Sequence, residues 1–279
     1  MRKHITRILP KFLKTSLKRI YYFPMDIMDE FKQRDSMIPP KRMIFIGRGD
    51  FEKVGQQFRK HFIELGNLRP DDRVLDVGCG IGRMAIPLTS YLSKEGEYWG
   101  FDIVKSGITW CQRRISPRYN NFHFLHSDVY NKQYNPKGKV RAQEFKFPFG
   151  DEFFDFVFLT SVFTHMLPPD VENYMSEIAR VLKTGGRCLI TFFILNEESL
   201  GLIHAGKSQL DFKYDLGGCL STDINTPEAA IAYDEGIVTG LFEKNRLTIY
   251  PSIYYGSWCG REKLFTYQDL IVAKKGSAD

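Results

Sequence analysis

No aspartate or glutamate precedes Asp26 in this 279-residue chain, although Arg2, Lys3, Arg7, Lys11, Lys14, Lys18 and Arg19 do. Outside those seven, 32 basic residues face 33 acidic ones. The body is therefore near neutral and lacks the basic surface of a nucleic-acid enzyme. Cysteine is scarce and odd in number: the five residues Cys79, Cys111, Cys188, Cys219 and Cys259 never form C-x-x-C, so neither a disulfide framework nor a zinc site is indicated. No Asp/Glu/His cluster has metal-ligand spacing, and the expectation is a metal-independent protein of the reducing cytoplasm. No apolar run approaches the ~18 residues of a transmembrane helix, and basic positions interrupt any signal-peptide core. Repeats and low-complexity tracts are missing. What is present, 43% hydrophobic and 14% aromatic residues, suffices for one full α/β core with material left for additions.

The most informative stretch is 73–83. Val74, Leu75 and Val77 give a buried-strand signal, Asp76 sits at its carboxyl end, and Gly78, Gly80 and Gly82 predict a turn into a helix near Arg83. Three glycines in five positions allow left-handed backbone and close approach by a ligand, at the strand edge where open α/β sheets bind ligands. Their spacing, G-x-G-x-G, departs from the dinucleotide fingerprint G-x-G-x-x-G. A second strand ends at Asp102 and Ile103, about 20 residues past the glycines, as in nucleotide-type sites. Residues 122–128 alternate and end in Asp128. Phe153–Leu159 is nearly all apolar, as a strand buried on both faces is. It exits through Thr160, Ser161 and His165. Val171, Tyr174, Ile178, Val181 and Leu182 recur at helical spacing, with Thr184-Gly185-Gly186 expected as the cap, and a fifth strand follows from Arg187 to Leu195.

The order of these signals resembles the class I S-adenosylmethionine-dependent methyltransferases, over about residues 44–275, and is closest to the small-molecule group. The resemblance implies a three-layer, Rossmann-like, seven-stranded, mostly parallel sheet with a reversed C-terminal strand and a partial cap. It also implies a donor site for S-adenosyl-L-methionine built from Asp76, Gly78, Cys79, Gly80, Gly82, Asp102, Ile103, Asp128, Val129 and Thr160. Within it Asp102 would accept both ribose hydroxyls, Asp128 the adenine amine, and the segment from Thr160 to His165 would lie under the methionine part. An alternative reading makes Asp102 a cap for the helix near Ser106. Cys79 is read as a small residue beside the ligand rather than a nucleophile.

Methyl transfer requires a nucleophile held about 3 to 3.5 Å from the donor methyl, and a hydroxyl acceptor must also lose its proton. His165, just after the fourth strand, is the candidate base, with shaping of the pocket as the other reading. His204 is the reserve, followed by Asp234 and Glu235. The expected reaction is O-methylation of a small molecule, or of a glycan or glycolipid. Alternatives are N- or C-methylation of a lipid or quinone-like acceptor, a non-catalytic donor-binding module, and, from another class, a nicotinamide oxidoreductase, against which the glycine spacing counts.

Three domain-level expectations complete the reading. Residues 1–43 form a basic extension in which Ile5, Ile8, Leu9, Phe12, Leu13, Leu17 and Ile20 recur at helical spacing, interrupted by Pro10. Residues 1–24 then suit an anionic membrane surface, or a helix docked on the body, or a mobile tail. Residues 44–275 are the methyltransferase domain, in which 44–54 would close over the donor, with Arg48 either on its carboxylate or in a surface turn. Insertions at 129–147 and 201–232 would serve as lid and cap, and 276–279 as a tail. A helix over 234–244 and strands over 247–255 and 267–274 would finish the sheet.

Overall fold

The computed structural model describes residues 20–28, 35–47, 49–262 and 266–277. Apolar strands alternating with amphipathic helices leave a chain one way to bury both kinds of face, a sheet with helices on each side. The central sheet has seven strands: β1 (Arg73–Val77), β2 (Glu97–Asp102), β3 (Phe122–His126), β4 (Phe154–Leu159), β5 (Leu182–Phe192), β10 (Leu247–Ile249) and β11 (Asp269–Lys275). Their order is β10-β11-β5-β4-β1-β2-β3. Strands β1 to β5 run parallel, and β11 lies antiparallel to both β5 and β10, giving the reversed C-terminal strand expected. The chain reverses direction across β1, with β2 on one side and β4 on the other, so the carboxyl end of β1 is the switch point where such sheets hold ligands.

Alternate side chains of the central strands enter two separate cores. Leu75, Val77, Val157, Leu159 and Ile190 pack under helix α4 (Pro168–Val181), and Val74, Phe156, Phe158 and Leu189 pack under α1 (Phe51–Glu64) and α3 (Lys105–Arg114). Phe62 of α1 stacks on Phe158 with ring centroids 4.2 Å apart. Asp50 starts α1 by accepting from the Lys53 amide, which satisfies one of the unpaired amides of the first turn.

Three local expectations are corrected. The helix after the glycine turn is only a single regular turn, α2 (Ala85–Leu88), because glycine-rich turns precede it and Pro87 has no amide to donate. Thr184-Gly185-Gly186 does not cap α4. That helix ends at Val181 and enters β5 at once, and the glycines occupy a bulge where the pairing jumps from Phe154↔Leu182 to Phe156↔Arg187, with Gly185 at φ +76°. β10 stops at Ile249; the Tyr250 amide still donates to the Val272 carbonyl of β11, but Pro251 has no amide to continue, and a bridge between Tyr254 and Leu270 resumes the pairing.

Beyond β5 the chain builds a second, four-stranded sheet in the order β6-β9-β8-β7, from β6 (Ile194–Leu195), β7 (Tyr214–Asp215), β8 (Cys219–Ser221) and β9 (Ile231–Asp234). Helix α5 (Glu197–His204) lies between β6 and β7, and α6 (Glu235–Lys244) follows β9. A separate small core of Phe193, Leu195, Phe212, Ala232 and Trp258 supports it. Asp269, fully buried at the start of β11, joins the two sheets: it accepts from the amides of Ile194 and Gly256 and from the Trp258 indole. No described helix is long and apolar enough to cross a membrane.

Phe158 is fully buried between the sheet and α1. Phe158→Ala is expected to cost about 3 to 5 kcal/mol of unfolding free energy, read from the midpoint of a urea titration.

Candidate functional site

The loop after β1 is held open by backbone that only glycine adopts easily. Gly78 and Gly80 have φ +83° and +60°. A Cβ on Gly78 would lie 2.4 Å from Val162, and one on Gly80 2.9 Å from Ile46, so space excludes a side chain as firmly as torsion does. The Gly78 and Cys79 amides both donate to the Phe101 carbonyl, which ties the loop to β2.

Asp102, at the end of β2, completes the clasp. One carboxylate oxygen accepts from the Gly80 amide at 2.8 Å and the other from the Val104 amide at 2.7 Å. Burial pushes this carboxyl up to about 6, against the opposing pull of the amides. It does not cap α3, whose N-cap is Val104 without a side-chain bond. Each carboxylate oxygen has a second lone pair, so the brace leaves capacity for two hydroxyl donors.

Asp76 lies in the fully buried layer beneath the loop. One oxygen accepts from the Tyr98 hydroxyl at 2.5 Å, and Oδ1 has no partner among the described residues. Burial pushes its carboxyl up to about 8. Asp128 sits half-buried past β3, and no described residue bonds its carboxylate, while its carbonyl accepts from the Lys139 and Val140 amides. Val129 is buried, Ile103 packs half-buried against the first core, and Thr160 lies half-buried at the exit of β4. Burial also raises the Cys79 thiol well above its usual range, as befits a packing residue rather than a nucleophile.

The strap at 44–47 crosses this loop. Ile46 meets Gly80, Phe45 meets Gly107 at the start of α3, and the Arg83 guanidinium donates to the carbonyls of Ile46 at 3.1 Å and Gly47 at 3.4 Å. Sequence reasoning passed over Arg83, whose position one residue past the glycines was the available signal. Arg48 lies outside the described residues.

On the other side of the β1 and β4 ends, His165 closes a 3-10 turn, Phe163–His165. Its Nδ1 is 2.8 Å from the Glu228 carbonyl, and a carbonyl can only accept, so Nδ1 carries the hydrogen and Nε2 the lone pair. Burial pushes the imidazole below its ordinary range. Asn131 donates to the His165 carbonyl at 3.0 Å, and the Tyr134 ring meets the imidazole edge-on at 5.4 Å. Residues of the 129–147 insertion and of the second sheet's connection therefore converge on one histidine. Asn131, Tyr134 and Glu228 gave no motif signal, because each reaches His165 from a distant part of the chain.

The exit of β4 is also strained: Ser161 has φ +60° and is not glycine. Its amide donates to Thr191 Oγ1, and Gln268 bridges the Ser161 and Thr191 hydroxyls, locking the exit to β5 and β11. The reserve bases are not gathered here. His204 is exposed at the end of α5, Asp234 caps α6 through the Gly236 and Ile237 amides, and Glu235 accepts from Asn196 and Tyr255. Among the described residues no group of three His, Cys, Asp or Glu is placed to hold a metal.

Among the described residues, Asp76 Oδ1 and the Asp128 carboxylate are thus left without hydrogen-bond partners on either side of the glycine loop and its clasp. Burial of Asp76 makes one prediction independent of any ligand. Its folded value lies above the ordinary 3.8, so the neutral form is favoured by folding, and stability falls as pH rises from there through about 8. Asp76→Asn should flatten that decline, measured as melting temperature against pH.

Comparison with known proteins agrees with this geometry. Residues 75–190 match the family described as a methyltransferase domain. The sterol 24-C-methyltransferase of Schizosaccharomyces pombe is 35% identical over 138 residues, 48% of this chain and 32% of that protein. The demethylmenaquinone methyltransferase of Bacillus velezensis is 27% identical over 139 residues, 49% of this chain and 52% of that one. The chain thus spans about a third to a half of these relatives. In fold, the PH0226 protein of Pyrococcus horikoshii superposes with a TM-score of 0.56 at 18% identity, covering 84% of this chain and 94% of its own. The matched residues run from inside β1 almost to the end of β5, taking in the glycine loop and its Asp102 clasp, and over this stretch the chain is similar to that methyltransferase-domain family.

Proposed function

We propose that the chain transfers a methyl group from S-adenosyl-L-methionine to a hydroxyl of a small-molecule acceptor of lipid or glycolipid kind, with His165 as general base. The observation that carries this reading is the bond between His165 Nδ1 and the Glu228 carbonyl, which fixes the tautomer that leaves Nε2 basic. The donor, when bound, supplies an electrophilic methyl on a sulfonium. Asp102 and Asp128 would hold its ribose and adenine, the glycine loop would let it lie against backbone, and the 44–47 strap would keep water from it. Asp76, Ile103, Val129 and Thr160 would shape the same pocket.

His165 takes the acceptor's hydroxyl proton at Nε2. Its depressed basicity keeps it neutral near pH 7, so it is ready to accept without first losing a proton. Tyr134 packs on the imidazole and Asn131 anchors the His165 backbone carbonyl, both from the 129–147 insertion, which we take as the lid. Residues 201–232 we take as the cap, because the Glu228 carbonyl orients the base from there.

A second reading, C-methylation of a lipid or quinone-like acceptor, is favoured by the two curated relatives, whose names specify a sterol and a demethylmenaquinone. The same proton removal would serve an acidic ring hydroxyl. Both readings place the acceptor at a membrane, and the seven basic residues before Asp26 support peripheral residence there. Residues 1–19 of the basic leader fall outside the described residues.

His165→Ala is expected to lower turnover by about 10²- to 10⁴-fold while S-adenosylhomocysteine affinity, measured by calorimetry, stays within about twofold. Unchanged turnover would remove His165 from the mechanism. In the wild type the acid limb of kcat/KM should fall below the ordinary histidine value of about 6.5, because burial favours the neutral ring. Asp102→Ala should weaken S-adenosylhomocysteine at least about tenfold, since it removes both the hydroxyl acceptor and the clasp of the glycine loop. Equal affinities by calorimetry would contradict that role.

A further inference from the structure

The segment 20–28 is helical and presents its apolar side chains to solvent. Ile20 is 71% exposed, Tyr21 64%, Phe23 54% and Met28 57%, and Met25 and Ile27 are exposed as well. Soluble surfaces carry scattered apolar residues, but six in nine positions of one helix form a contiguous ridge. The segment is nevertheless fastened to the body. Asp26 is 2% exposed and accepts from the amides of Lys41 and Arg42 and from the Arg42 guanidinium, at 2.6, 3.3 and 3.0 Å. Arg42 also lies over the Phe23 ring. A buried carboxylate thus holds the helix in place while its apolar residues face outward.

The fastening point leads to a second feature. Met43, one residue beyond Arg42, lines a groove of about 470 Å³ with Lys105, Ser106, Thr109, Trp110 and Arg113 of α3. Its floor is apolar, with the Trp110 indole donating to the Met37 carbonyl and the Arg114 guanidinium over the Trp110 ring. Its rim is cationic: Lys105, Arg113 and Arg114 are exposed, and α3 contains no acidic residue. The groove lies at the ligand-bearing edge of the sheet, because Gly107, two residues from Lys105, packs against the Gly80 carbonyl of the glycine loop.

We propose that the 20–28 helix and the rim of this groove together dock the enzyme on an anionic lipid bilayer, with the donor end of the sheet turned toward it. An apolar ridge beside a cationic rim is the arrangement that inserts side chains among acyl chains and pairs with acidic headgroups. Charge complementarity extends into the sequence just ahead of the ridge, which has seven basic residues and no acidic one. This deepens the proposed membrane-borne acceptor, and rests on it for its biological sense. The strap 44–47 follows directly from the docking face and crosses the glycine loop, so an acceptor leaving the bilayer at this face arrives beside the donor pocket.

The test is cosedimentation of the full chain with phosphatidylcholine vesicles, with and without about 30% phosphatidylglycerol. Wild type should partition onto the anionic vesicles at least about tenfold more strongly than onto neutral ones, with the difference shrinking at high salt. Ile20→Glu with Met28→Glu, and separately Lys105→Glu with Arg113→Glu, should each weaken that partition about tenfold or more, with melting temperature and S-adenosylhomocysteine affinity unchanged. Wild type that ignores the anionic lipid overturns the proposal, as do variants that bind as well as wild type. A concentration-dependent dimer dispersed by the Ile20→Glu and Met28→Glu pair assigns the ridge to a second copy of the chain, and overturns it too. Donor affinity, read on the same samples, separates failure of this docking from failure of the methyltransferase reading.

Discussion

The site depends on one carboxylate used twice. Asp102 binds the Gly80 amide with one oxygen and the Val104 amide with the other, and so joins the glycine loop after β1 to the entry of α3. Without it, a loop with positive φ at three glycines would sample many conformations, and the backbone surface offered to a ligand would not be pre-formed. The carboxylate in turn stands where it does because β2 pairs in parallel register with β1, setting Asp102 one step beyond the last paired residue, Phe101. Sheet register is therefore what sets the clasp on the glycine loop.

The region around His165 is organised differently. His165 is held by groups from three separate segments: Asn131 and Tyr134 from the 129–147 insertion, Glu228 from the connection between β8 and β9, and its own 3-10 turn. Beneath it, Ser161, Thr191 and Gln268 lock the carboxyl ends of β4 and β5 to the amino end of β11. Strain at Ser161 is tolerated because that hydrogen-bonded lock over-determines the backbone. The glycine loop is fixed by sheet geometry, whereas the surroundings of His165 are assembled by loops, the part of such folds that varies most.

Much of this was legible in the chain. The apolar runs of β1 and β4, the glycines at 78, 80 and 82, and the acid ending β2 fall where expected, because short-period hydrophobic patterns and glycine torsion are local properties, while β3 stops at His126, two residues ahead of Asp128. The misreadings were also local in kind. Gly185 and Gly186 look like a helix cap, but the bulge between β4 and β5 needs the same left-handed freedom, and only strand pairing tells the two apart. The strand expected over 247–255 was cut short at Ile249 by the missing amide of Pro251.

The sequence by itself determined the layered α/β architecture, the position of the glycine loop and the acids beside it, because each follows from periodicity or backbone freedom over a few residues. Tertiary structure alone decided the tautomer of His165, the commitment of Asp234 to a helix cap and of Glu235 to Asn196 and Tyr255, the burial of Asp76 against Tyr98, and the fastening of an exposed apolar helix by Asp26. Each of these is a contact between residues far apart in the chain, and a hydrogen bond is specified by where its two ends meet, which no local pattern encodes.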